Sequence, residues 1–218
     1  MSGLANLRAA AKGTKLSSKP VIVWSASPGH KADGIIATLN TLEDALRSHP
    51  GQAVLVEIVS PFGRATREGI NLTEILTDQP EAGAHELAGW ASRVGLDMQQ
   101  ALKEGASGIF YRLDGAYPAA NTPMQYGGLF LETDRELLKQ IPAEALTLLY
   151  VEGESDPYLD FVSDLPADLF GWDAPRTGIE AAEVLNMREG ALAAEDKGAS
   201  VLFVKSFDDA LNLMGEAS

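Results

Sequence analysis

The stretch Gln99–Gly115, QQALKEGASGIFYRLDG, decides the fold. Ala101 to Ala106 ends a helix, and Gly105 supplies the stop, because the residue there takes a left-handed conformation that glycine adopts cheaply. Ser107 to Tyr111 then reads as a short buried strand, with Arg112 and Asp114 at its C-terminal end. A helix feeding a buried strand in this way is the unit of an α/β protein with a parallel sheet. In such proteins ligands bind at the C-terminal ends of the strands. Arg112 and Asp114 are therefore either a local ion pair or part of a site.

Working outward, the same unit recurs. Val21 to Trp24 is a strand closed by Ser25-Ala26-Ser27-Pro28-Gly29. Asp33 caps a helix whose apolar positions are Ile35, Ile36, Leu39, Leu42 and Leu46. Ala53 to Val59 is the second strand, apolar apart from Glu57, and Ser60-Pro61-Phe62-Gly63-Arg64 turns off its end. Leu72 to Leu76 is helical, and a long helix runs from Pro80 to Glu104. Gly115 to Gly128 is a long connector, either a lid or a plain surface loop.

Thr133 caps a helix over Glu136 to Gln140. Leu146 to Val151 is the fourth strand, ending in Glu152-Gly153-Glu154. A short helix over Pro157 to Val162 precedes a fifth strand, Ala167 to Trp172, which ends in Asp173 and is followed by Arg176. Ile179 to Leu185 is helical. The next strand is Gly190 to Ala193 or Ser200 to Val204, and periodicity does not choose between them. Phe207 to Met214 is the last helix. The count is about six parallel strands, at most seven, in a single domain over residues 1–218. No phosphate-cradling glycine motif follows the first strand, which disfavours a Rossmann nucleotide site. The fold expected is α/β, an incomplete (β/α)8 TIM-type barrel.

Composition narrows the partners. With 31 acidic and 17 basic residues the formal charge is −14. Such a surface repels nucleic acid and anionic lipid, so neither is an expected partner. Cysteine is absent, which removes disulfides, thiolate metal sites and a cysteine nucleophile. It fits a reducing compartment, and a cytoplasmic location is the expectation. No apolar run approaches the ~18 residues of a membrane span, and the N-terminus has no apolar core of a secretory signal.

Aligned by strand end, the candidate ligand face carries Trp24, Ser25, Ser60, Arg64, Tyr111, Arg112, Asp114, Glu152, Glu154, Trp172, Asp173 and Arg176. Arginine offers a fork of donors matched to carboxylate or phosphate, so Arg64, Arg112 and Arg176 suggest an anionic small ligand. The acids among them pair with the arginines structurally or help form the site, and sequence fits both. His30 follows a strand end, whereas His49 and His85 have no such placement. No HExxH or Cys/His cluster is present, so no metal site is expected. Ser25, Ser27 and Ser60 lie in no GxSxG elbow.

Several segments in series resemble the uroporphyrinogen decarboxylase family. They are VLVEIVSPFGRATREG (Val54–Gly69), LTEILTDQPE (Leu72–Glu81), ALKEGASGIFY (Ala101–Tyr111) and LTLLYVEGESDPYLDFVSDLPADLFGWD (Leu146–Asp173). EGALAAEDKGASVLFVKSFDDALNLM (Glu189–Met214) extends the likeness.

The resemblance implies a (β/α)8 barrel that binds a tetrapyrrole carrying eight carboxylates and uses no cofactor. On that reading Trp24, Ser60, Arg64, Tyr111, Arg112, Glu152, Trp172 and Arg176 contact substrate. Asp114 or Asp173 steadies the cationic pyrrole formed during decarboxylation.

The chain also departs from the family. The family's first strand, with its arginine-bearing loop, has no counterpart before Val21. VIVWSASPG lacks the family's aspartate, the nearest being Asp33, and Asp97 stands where the family has a tyrosine. The histidine-bearing last strand would lie beyond Ser218. Cobalamin-dependent methyltransferases of the same family hold zinc through His and Cys, and the lack of cysteine disfavours that branch.

The expectation is thus a shortened member covering the middle strands, catalytically impaired. Missing strands would expose sheet edges. The segment Leu4 to Lys15 is placed to plug one side, and a homodimer would cover the other. Three functions follow: a decarboxylase, a noncatalytic binding module, or a subunit whose barrel is completed by another chain.

Overall fold

Eight short parallel strands close on themselves in sequence order in the computed structural model, which describes residues 2–24, 32–153 and 155–215. They are β1 (Val21–Val23), β2 (Gly34–Ala37), β3 (Ala53–Val59), β4 (Gly108–Leu113), β5 (Leu146–Val151), β6 (Leu169–Trp172), β7 (Ala191–Ala194) and β8 (Val201–Val204). Closure is made by β1 on β8, with Val21, Ile22 and Val23 level with Leu202, Phe203 and Val204. The expected six-stranded, incomplete barrel is thereby corrected, and so is the expectation of a chain covering only the middle strands.

The first missed strand is β2. The run containing Ile35 and Ile36 has helical spacing, yet Gly34–Ala37 is a fully buried strand. Only after a 3₁₀ turn over Leu39–Thr41 does helix α2 (Leu42–Ser48) begin. Asp33 caps no helix there. Its carboxylate accepts from the Val21 amide at 3.0 Å and from Asn6 Nδ2 at 2.7 Å, stitching β2 to β1 and to the N-terminal helix. The second correction lies at the other end of the chain: Ala191–Ala194 and Val201–Val204 are both strands, so the barrel's last strand lies inside the chain. Closure leaves no open sheet edge. That removes the argument from which a homodimer was expected, and it leaves nothing for a partner subunit to complete.

Period-two alternation sorts the strand side chains onto two faces, the outer one divided between a main cluster and a smaller one of Val21, Val23, Leu202 and Val204. Ile22, Ile36, Leu55, Phe110, Leu148, Leu169, Ala193 and Phe203 point inward and fill the barrel. Their neighbours Ile35, Val56, Ile58, Tyr111, Leu149, Phe170 and Leu192 point outward and pack under the helices. The bottom of the inner core is closed by α1 (Gly3–Ala11), which buries Leu7 and Ala10 against it.

The outer layer is uneven. Helices α3 (Pro61–Arg67), α4 (Leu72–Asp78) and α5 (Pro80–Lys103) link β3 to β4, and α6 (Pro123–Leu129) and α7 (Leu131–Lys139) link β4 to β5. The connector Gly115–Gly128 thus holds most of α6, opened by a Thr122–Gln125 capping box. Thr133 lies inside α7 rather than capping it. Pro157 to Val162 is not a helix: Pro157 and Tyr158 are irregular and turns begin at Leu159. Between β6 and β7 only the single-turn helices α8 (Ala174–Thr177) and α9 (Ala181–Val184) are present, and α10 (Phe207–Met214) packs on β1 and β8. Among the described residues no helix is long and apolar enough to cross a membrane.

Candidate functional site at the barrel mouth

Inward-facing positions turn from apolar to charged as the strands reach their C-terminal ends. In β4 the inward series Gly108, Phe110, Arg112 delivers a guanidinium to the mouth. Register sets Arg112 level with Val59 of β3 and Tyr150 of β5. Glu57 therefore lies one inward layer below it on one side, and Glu152 one layer above on the other.

Arg112 Nη1 donates to Glu57 Oε1 at 2.6 Å and Nε to Glu152 Oε1 at 2.5 Å, while Nη2 also reaches Glu152. All three side chains are mostly shielded, at 19% exposure for Arg112, 17% for Glu57 and 24% for Glu152. Burial disfavours the charged guanidinium, but Glu152 and Glu57 outweigh it and raise the Arg112 pKa.

Beneath this network lies an aromatic floor. Trp24 stacks on Phe203 at 5.6 Å between ring centroids and meets Phe110 and Tyr150 edge-on at 5.0 and 5.4 Å. The Arg112 guanidinium lies 4.9 Å from the centre of the Trp24 ring, within cation–π range. Gly171 makes room for Tyr150, since a Cβ there would meet the Tyr150 ring at 3.2 Å and the Ala193 carbonyl at 2.6 Å. The Tyr150 phenol is pushed far up by burial, then by Asp173 and Glu152, with Arg112 and Arg176 opposing. A cleft of about 20 Å³, room for one water, opens beside it between Trp24, Tyr150, Asp173, Glu195, Phe203 and Lys205. Burial raises the Glu195 pKa, helped by Asp209.

The structure brings Trp24, Arg112, Glu152 and Asp173 to this mouth, and Arg176 follows on α8, where its field reaches Tyr150. Asp173 also accepts the Arg176 amide at 3.1 Å as the N-cap of α8. Trp172 borders the cleft as well, with its ring turned away from the barrel interior, and the remaining candidates stand elsewhere. Tyr111 and Trp172 point outward. The Tyr111 hydroxyl donates to Asp134 at 2.5 Å, and Trp172 Nε1 donates to the Ile179 carbonyl at 3.0 Å. Arg64 lies on α3 and binds the Val59 carbonyl and Asp97 of α5, so it does not converge with Arg112. Ser60 is buried as the N-cap of α3, its Oγ accepting the amides of Gly63 and Asp114. Asp114 packs against Gly63, with one carboxylate oxygen buried and without a partner. Ser25, Ser27, His30 and Glu154 lie outside the described residues.

Residues that strand-end reading passed over are Tyr150, Glu195, Lys205 and, above all, Glu57. Glu57 did carry a signal, as the lone acid in an apolar run. Glu195 and Lys205 are hidden in the sequence because they follow β7 and β8, between which periodicity does not choose. Among the described residues no three His, Asp or Glu side chains gather as a metal site.

No protein-family model matches the chain, and no curated protein does. Solved structures do. A methyltransferase from Methanosarcina mazei superposes with a TM-score of 0.76 at 10% identity, over 99% of this chain and 98% of that one. Phosphonopyruvate hydrolase in complex with oxalate and Mg++ gives 0.54 at 14% identity, over 99% and 85%. The 4-hydroxy-tetrahydrodipicolinate synthase of Methylacidiphilum fumariolicum SolV gives 0.51 at 10%, over 92% and 75%. At such identities the likeness is one of fold, and with the closed sheet it identifies the chain as a complete TIM-type (β/α)8 barrel.

Proposed function

We propose that this barrel is of the uroporphyrinogen decarboxylase type and binds, without turning over, a polycarboxylate bearing N–H groups, a porphyrinogen being the example. The ligand lies across the mouth rather than inside it, because the aromatic floor fills the barrel. The observation that carries the reading is the Glu57–Arg112–Glu152 network above Trp24. Its carboxylates accept from N–H groups at the centre of the ligand, and Lys205 and Arg176 offset part of the charge of the ligand's own acids, Arg112 being already paired with Glu57 and Glu152. Loss of turnover follows from where the acids stand. Asp114 packs behind α3 and Asp173 is engaged as a helix cap.

Uroporphyrin, the oxidised fluorescent analogue, tests this reading by titration. Saturable quenching that is lost in a folded Arg112→Ala variant is expected, with no carbon dioxide released from uroporphyrinogen under anaerobic conditions. Absence of saturable binding would overturn the reading, and carbon dioxide release would make the protein a decarboxylase instead. The surplus of carboxylates at the mouth favours one second reading, a cationic amine ligand. Spermidine binding that weakens in Glu57→Gln would support it.

A further inference from the structure

The N-terminal segment of the chain is basic. Arg8, Lys12, Lys15, Lys19 and Lys31 all precede the first acidic residue, Asp33, in a chain of formal charge −14. Arg8 and Lys12 lie on and just after α1, which closes the bottom of the barrel, and Lys15 and Lys19 lie on the connector that leads from it into β1. That connector borders a cleft of about 320 Å³ lined by Thr14, Lys15, Ser17, Ser18, Lys19 and Ser200. Ser200 immediately precedes β8, and Lys19 stands two residues before β1, so the cleft is at the N-terminal ends of the strands, opposite Arg112.

Its groups are donors in search of an acceptor. Lys15 and Lys19 make no ion pair among the described residues. Lys19 is half-buried and its ammonium donates to the Lys197 carbonyl, which leaves the positive charge itself uncompensated. Burial lowers its pKa, with Asp196 opposing from beyond ion-pair distance. The Ser200 oxygen accepts the Leu192 amide at 3.2 Å, so its own proton is free to be donated. Thr14, Ser17 and Ser18 add further hydroxyls at the rim. A partly desolvated ammonium beside a second lysine and several hydroxyls is the donor set that compact oxyanions require.

We propose that this cleft binds a phosphate group, with Lys15 and Lys19 as the cations and the Ser200 hydroxyl as a directional donor. Its size admits a phosphate carrying a small organic part or the headgroup of a phospholipid.

The test is calorimetric titration of the full chain with inorganic pyrophosphate, paired with sedimentation on phosphatidylglycerol and phosphatidylcholine vesicles. Saturable one-to-one binding is expected, weakening as salt rises and falling about tenfold or more in Lys19→Gln and in Lys15→Gln, the loss of one charge-assisted hydrogen bond. Lys15 is exposed, so its variant keeps the test decisive if Lys19→Gln fails to fold. Lys103→Gln, on the exposed end of α5, removes the same charge and leaves affinity unchanged. Binding to phosphatidylglycerol alone, lost with Lys19, identifies a headgroup as the source of the phosphate. Binding to neither probe, or equal weakening by Lys103→Gln, overturns the proposal.

Discussion

Arg112 Nη1 lies 2.6 Å from Glu57 Oε1 across the β3–β4 pairing, with both side chains more than four-fifths shielded from water. A cation and an anion held that far from solvent stabilise only together, since removing one leaves the other desolvated and unpaired. Arg112→Ala leaves Glu57 and Glu152 facing each other. A destabilisation of about 2–4 kcal/mol is expected from urea unfolding, with Arg112→Lys recovering part of it. A loss below about 0.5 kcal/mol, the range of exposed pairs, would show that the network is open to solvent.

Asp134 gives the protein a pH dependence of its own. It is buried on the outer side of β4 and accepts hydroxyls from Tyr111 at 2.5 Å and Tyr126 at 2.8 Å. Burial raises its carboxyl from the ordinary 3.8 to about 6, with the tyrosine hydrogen bonds pulling it down and Asp114 pushing it up. A carboxyl that holds its proton more tightly when folded favours the folded state at low pH. Its contribution is full below pH ~4 and is lost as pH rises through about 6, on the order of 3 kcal/mol in all. Thermal melts of Asp134→Asn against the parent chain between pH 4 and 7 should show that slope only in the parent. Parallel curves would refute it.

Gly108 is fixed by the neighbouring strand. A Cβ at this position would lie 1.9 Å from the Leu146 carbonyl oxygen, a backbone atom that cannot yield without parting β4 from β5. Gly108→Ala is expected to cost about 3 kcal/mol or more and to lower soluble yield. Unfolding within ~0.5 kcal/mol of the parent would show that the strands can separate at little cost.

Leu7 joins the N-terminal helix to the barrel interior and is fully buried there. Leu7→Ala should lose about 2–4 kcal/mol, and binding of a hydrophobic dye should rise as the base of the barrel loosens. An unchanged midpoint with no dye binding would mean that α1 is dispensable to the closed sheet.

Much of the architecture was legible in the residues alone. Ala53–Val59 and Leu146–Val151 announced themselves as strands because they are six or seven residues long and nearly all apolar. The long helix α5 was legible from its apolar face at Leu87, Trp90, Val94 and Met98. β2, β7 and β8 are four residues each and buried on both faces. A strand so short shows no alternation, and Ile35-Ile36 followed by Leu39 and Leu42 satisfies helical spacing as well as it does a strand and a turn.

Local sequence determined which segments are apolar enough to be buried and which strand ends carry charge. Closure is a different kind of fact, since it depends on Val21–Val23 pairing with Leu202–Val204 from the far end of the chain. Only the closed barrel decided which face each side chain takes. Alternation within β4 sends Tyr111 out to Asp134 while its neighbour Arg112 turns inward to Glu57 and Glu152. One residue's difference in position along a pleated strand separates a structural hydrogen bond from a candidate site, because successive side chains point to opposite faces and the barrel makes one of those faces its interior.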